Sequence, residues 1–221
     1  MRTLVSALAF LIFLAMSAAA DDPPAKKDDK SSKKDEAGLK VGSNLPGTFH
    51  PYNVTGPHKQ RFHCLISEHG LDPMVMIFYK NVDFADALPN LLKRLDAAID
   101  KNPNTPLGAF AVFLPDELPD AAGSNEKEQD TNNKNDDARL ELAKKIEQSG
   151  SDMKLKHVIL CLDNKSDVAK YKLQDDNLIT VVLYTKLKVV AVHALPKSDF
   201  TDKAVEKIMA DVTDKFGAKK K

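Results

Sequence analysis

The stretch that most constrains this chain is Met74-Val75-Met76-Ile77-Phe78-Tyr79, six apolar or aromatic residues in succession. A run this short, rich in branched and aromatic side chains, reads as a strand buried on both faces. Directly after it Phe84, Leu88, Leu91, Leu92, Leu95 and Ile99 recur at helical spacing, so residues 81–99 read as an amphipathic helix. A helix N-terminus gathers unpaired N–H groups and positive potential, and in many α/β folds such a junction carries the chemistry. Here it reads Lys80-Asn81-Val82-Asp83-Phe84-Ala85-Asp86-Ala87, without Cys, His or Ser.

The first twenty residues have the pattern of a cleaved targeting segment. Arg2 precedes an apolar run over residues 4–16, and Ala18-Ala19-Ala20 supplies the small-residue cleavage site. The run is too short for a comfortable membrane span, and no later segment is long and apolar enough to cross a bilayer. The expectation is export, to a periplasm or beyond the cell, with no membrane span after cleavage. Removing residues 1–20 takes away one Arg and leaves 31 basic against 32 acidic side chains. That balance argues against nucleic acid as a partner. Residues 21–40, mixed Lys, Asp, Ser and Pro with little that is apolar, read as a disordered charged linker.

One domain over residues 41–217 follows, closed by a basic tail at 218–221. It opens with a candidate β-hairpin, residues 48–53 and 60–66 around the Thr55-Gly56-Pro57 turn. After the central strand and helix, Pro103 and Pro106 stop the helix, and residues 107–114 read as a second buried strand. Residues 116–137 carry eight acidic and two basic side chains, with Pro119, Gly123 and four Asn, and read as a mobile acidic insertion. The spacing matches no calcium loop. A helix is expected from near Ala138 to Ser149-Gly150, a third strand over 156–162, a helical turn over 166–171, and a hairpin of 179–184 with 188–193. Ala204, Val205, Ile208, Met209, Val212 and Phe216 then line a last helix, with Ser198 or Thr201 as its N-cap.

This order, hairpin then β-α-β-α-β and finally β-β-α, resembles the thioredoxin-like superfamily, and its secreted peroxiredoxin-like members in particular. Val41-Gly42 with Pro46-Gly47-Thr48-Phe49 resembles that family's opening "VG..aP.F", and Phe78-Tyr79-Lys80-Asn81-Val82-Asp83-Phe84 its "FYP.DFT". Leu160-Cys161-Leu162-Asp163, continuing to Val168-Ala169-Lys170-Tyr171, resembles its "llsD…va..y". The implied fold is a three-layer α/β sandwich, a central mixed sheet with helices on both faces and an extra N-terminal hairpin. The resemblance also implies a reactive Cys before Pro at the start of the helix, and Leu88-Pro89 stands there instead. Nor is there a Cys-x-x-Cys after the strand, and Leu178-Ile179 precede Thr180 where thioredoxins carry a cis-Pro.

What thiol chemistry remains lies elsewhere. Cys64-Leu65-Ile66-Ser67 looks like half of a Cys-x-x-Cys, flanked by His63 and His69, so Cys64 is a candidate monothiol nucleophile with Ser67 in place of a resolving thiol. The bland reading makes Cys64 a small packed residue, or half of a structural disulfide with mid-strand Cys161. Read on a strand, His63 and Cys64 point to opposite faces. His50, His58, His63, Cys64 and His69 have the atoms for zinc or copper, but their spacings match no closed site, so no metal and no cofactor is assigned. Asn53-Val54-Thr55 matches the glycosylation pattern. The sequence thus points to a thioredoxin-like domain with a degenerate redox site, binding an unidentified protein or serving a structural role. The alternative is a thiol–disulfide oxidoreductase acting through Cys64.

Overall fold

The computed structural model describes residues 39–118 and 126–217, with the side chains of 126–135 excepted. Residues 1–20, expected to be a targeting segment, residues 21–38 of the expected linker, residues 119–125 of the acidic stretch and residues 218–221 lie outside the described residues. The elements run β1 (Tyr52–Asn53), β2 (Arg61–Phe62), α1 (Leu65–His69), β3 (Met74–Tyr79), α2 (Leu88–Asp100), β4 (Gly108–Phe113) and α3 (Glu126–Asp152). After them come β5 (Val158–Leu162), a 3-10 turn (Ala169–Tyr171), β6 (Ile179–Thr185), β7 (Lys188–Leu195) and α4 (Asp202–Phe216).

All seven strands join one sheet in the order β2-β1-β5-β4-β3-β6-β7. β3, β4 and β5 are parallel, whereas β6 lies antiparallel to β3 and β7 to β6. β1 runs antiparallel to β5 and carries β2 on its outer side. This is the thioredoxin-like α/β arrangement, with the N-terminal hairpin extending the sheet beyond β5. The six residues of β3 are each no more than 1% exposed, because neighbouring strands take both of its hydrogen-bonding edges and apolar layers take both faces.

Alternation along β3 divides the core in two. Val75, Ile77 and Tyr79 belong to a cluster with Leu88, Leu91, Leu92 and Leu95 of α2, Ile146 of α3 and Val205, Ile208 and Val212 of α4. Met74, Met76 and Phe78 belong to a second cluster with Phe49, Leu65 and Ile66 of α1, and Tyr171 of the 3-10 turn. The three long helices therefore share one face, and α1 with the 3-10 turn covers the other.

Four boundaries differ from the sequence reading. Residues 81–87 are loop: Asn81 Oδ1 accepts from the amides of Val82 and Asp83, Asp86 sits at φ 55°, and the helix begins at Leu88. Asn and Asp compete for backbone hydrogen bonds in this way and delay helix entry. Residues 63–69 turn into α1 instead of extending β2, so Cys64 and Ser67 stand on a helical turn. α3 starts at Glu126, well before Ala138, so residues 126–137 of the expected insertion are its first turns; Glu, Lys and Gln are strong helix formers even where nothing apolar drives packing. Gly150 lies inside α3 and does not end it. A Cβ at Gly150 would come within 2.8 Å of Leu160 Cδ1, so glycine lets the helix approach β5 closely.

One buried carboxylate ties helix to sheet. Asp96 of α2 accepts from the backbone amides of Lys156, His157 and Val158 at 3.0, 2.7 and 2.9 Å, capping the entry to β5. Replacing Asp96 with Ala leaves these partly buried donors without their acceptor and is expected to lower unfolding free energy by about 3 kcal/mol, measured by urea denaturation. A surface control such as Glu206→Ala, on the exposed side of α4, should change it little.

Candidate functional site

The carboxyl edge of the parallel strands is where an α/β sheet of this kind places ligands. Leu88 opens α2 there, with its side chain fully buried and Pro89 behind it in the first turn. Its surroundings are apolar and aromatic: Tyr79, Leu88 and Phe113 share one cluster, Phe84 packs against it, and the Phe84 and Phe113 rings lie 4.9 Å apart. Burial pushes the Tyr79 hydroxyl up to about 12, reinforced by Asp86 and Asp83, and it has no hydrogen-bond partner among the described residues.

Beside it lies a cleft of about 250 Å³ lined by Lys80, Leu114, Lys165, Val168, Lys172 and Asp175. Lys80 Nζ donates to the Gln174 carbonyl at 2.5 Å and sits 3.8 Å from Asp175. Burial lowers its proton affinity and Asp175 partly restores it. Lys165 pairs with Asp116 at the rim. Sequence reading had no signal for this cleft, because Lys80, Lys165 and Lys172 come from separate loops that only the sheet brings together.

Cys64 and Ser67 are neighbours, but their contact is a helix cap. Cys64 is the N-cap of α1, its sulfur accepting from the Ser67 amide at 3.4 Å and the Ser67 hydroxyl at 3.2 Å. The residue is 4% exposed and packs in the cluster of Met74, Met76 and Phe78. It therefore lies across the sheet from Leu88. Cys161 is fully buried in the same cluster, and burial raises its thiol well above the ordinary range. Its sulfur donates to Asn53 Oδ1 at 3.4 Å. The Cys64–Cys161 bridge is not formed: both are free thiols, each held by a different neighbour. The glycosylation pattern is equally inaccessible in the folded chain. Asn53 is fully buried against Cys161, and Thr55 Oγ1 accepts from the Leu160 amide at 2.9 Å.

The histidines behave differently from one another. His157 Nε2 lies 3.0 Å from Asp100, and His193 Nε2 lies 2.9 Å from Asp211. His58 and His63 stack at 3.6 Å between ring centroids, and both point Nε2 at Glu68 Oε2, at 3.4 and 2.9 Å. Glu68 did not figure among the sequence candidates. Its position five residues after His63 acquires meaning only once α1 folds back on the hairpin.

No family model matches the sequence, and neither does any curated protein. Among solved structures the chain is similar to a thiol peroxidase from Chromobacterium violaceum, at 15% identity over 80% of this chain and 89% of that one, with a TM-score of 0.48. It is similar to the reduced 2-Cys peroxiredoxin of Plasmodium vivax at 18% identity, covering 80% of this chain and 99% of that one, with a TM-score of 0.47. It is also similar to the thioredoxin domain of a thiol-disulfide oxidoreductase from Bacteroides vulgatus, at 14% identity, 77% and 98% coverage and a TM-score of 0.46.

Asp163, at the carboxyl end of β5, gives this edge a pH dependence. Burial, with Asp167 beside it, raises its carboxyl from 3.8 to about 8. The fold then holds a proton that the unfolded chain has released. The stabilisation is complete below the ordinary carboxyl value and is lost as pH rises toward 8. Unfolding free energy measured between pH 5 and 8 should therefore fall in the native chain, and Asp163→Asn, which keeps the shape and removes the titration, should flatten that fall.

Proposed function

We propose that this chain is an exported thioredoxin-like domain whose redox positions have been given over to packing, and that it acts by binding or as a structural module. The observation that carries the reading is Leu88, a fully buried apolar side chain at the first position of α2, where the resemblance places the reactive thiol. A thiolate there would draw on the helix N-terminus; a leucine offers neither nucleophile nor leaving group. The two sulfurs the chain retains support the same reading. Both are buried on the opposite face, one capping a helix turn and the other bonded to Asn53. The lysine-lined cleft beside residue 80 supplies a concave surface for a binding role. Export rests on Arg2, the apolar run over residues 4–16 and Ala18-Ala19-Ala20.

The alternative, oxidoreductase chemistry through Cys64, requires a thiol that reacts without unfolding. Thiol titration of the full chain, native and denatured, distinguishes the two. The expected result is no fast-reacting thiol in the native protein and two after denaturation, without added reductant. A single fast native thiol that disappears in Cys64→Ser would replace the binding reading with the enzymatic one. Because serine is itself a favoured N-cap, Cys64→Ser should shift unfolding free energy by no more than about 1 kcal/mol.

A further inference from the structure

We propose that His58, His63 and Glu68 form a binding site for a divalent late-transition-metal ion, zinc being the representative case. One ligand atom from each of the three lies within 4.8 Å of the other two. In a tetrahedral zinc site with ligands at about 2.1 Å, neighbouring ligand atoms stand about 3.4 Å apart. One Nε2-to-Oε2 separation, 3.4 Å, matches that edge length and the other, 2.9 Å, is shorter, so side-chain rotations that open the stacked rings bring the three groups to a coordinating face. Two imidazoles and a carboxylate are an established zinc ligand set, with the fourth position open to water. Nitrogen-rich ligation disfavours magnesium and calcium, which prefer oxygen.

The backbone holds the three residues in place before any ion arrives. The turn carrying His58 is closed by Lys59 N to Gly56 O at 3.2 Å and Arg61 N to His58 O at 3.1 Å. Gly56 adopts φ 85° and its α-carbon faces Ile159, where a Cβ would come within 3.1 Å, so the turn is fixed to β5 and depends on glycine. His63 N donates to Pro51 O at 3.2 Å, and Glu68 N to Cys64 O at 3.1 Å within α1. Lys59, the cation next to His58, is engaged at 2.5 Å by Glu147 of α3, which leaves Glu68 to the imidazoles.

The cluster is also open to an ion. The three side chains retain about a third of their exposure, at 33%, 33% and 31%, which gives the ion an entry path and lets the rings adjust. Glu68 also lines a cleft of about 250 Å³ with His69, Pro57 and His157, so space for a water or an exogenous ligand adjoins the carboxylate.

Isothermal titration of ZnCl2 into the chelator-stripped full chain tests this directly. The expected result is one ion per chain, with affinity lost in His58→Gln and in Glu68→Gln. Outer-sphere partners are already worth roughly 10–100-fold, so loss of a ligand should cost at least that much. His58 is on a surface turn, so His58→Gln serves even if His63→Gln unfolds. Cys64→Ser should bind as the native chain does, and Co2+ in place of Zn2+ should give ligand-field bands without thiolate charge transfer. Binding unchanged in His58→Gln and Glu68→Gln, thiolate charge transfer with Co2+, or no binding at one equivalent would each overturn the proposal.

Discussion

The structure depends on β3 being covered on every side. A strand in the middle of a sheet has both backbone edges satisfied by neighbours, here β4 in parallel and β6 antiparallel. Its side chains must then find apolar company above and below. Met74, Met76 and Phe78 take one face and Val75, Ile77 and Tyr79 the other, and this single alternation allots every helix its place. α2, α3 and α4 close one side; α1 and the 3-10 turn close the second. A polar residue anywhere in these six positions would be buried without room for water, a cost of several kcal/mol by ordinary transfer measures.

Within that frame, polar contacts tie together segments far apart in the chain. Asp96 gathers three amides at the start of β5 from a helix sixty residues earlier in the chain. Tyr171 donates to the Gly47 carbonyl at 2.6 Å, holding the N-terminal loop against the second core. Asp83 at the entry to α2 is held by Lys145 of α3 at 2.5 Å, an exposed pair that contributes little by itself but bridges two elements of the same layer.

The two regions that could carry chemistry lie on different parts of the sheet and differ in kind. At the carboxyl edge the helix entry is apolar, and polarity moves sideways to the Lys80 cleft. On the hairpin side, a sulfur turned into the core caps α1 while the adjacent imidazole turns outward. Cys64 and His63 are consecutive, yet one serves packing and the other joins a surface cluster. The Cys-x-x-Ser word forms the N-cap of α1.

Residue pattern alone determined the α/β class, the order of the long elements, the burial of β3 on both faces and the absence of a thiol at Leu88, whereas α1 lay within what read as the second hairpin strand. These properties are local or periodic: period-two alternation, helical spacing and the identity of Leu88 can be read along the chain without knowing what touches what. The tertiary structure decided where the polar groups meet. Asp96 looks like any helix-face carboxylate until β5 presents three amides to it, and Asn53 looks like a surface acceptor until β1 pairs with β5 and buries it against Cys161. Glu68 joins His58 and His63 only because the turn at Gly56 and the fold-back of α1 bring them together. Such contacts depend on two or more elements being placed in space, and that placement follows from burying β3, not from the spacing of the polar residues themselves.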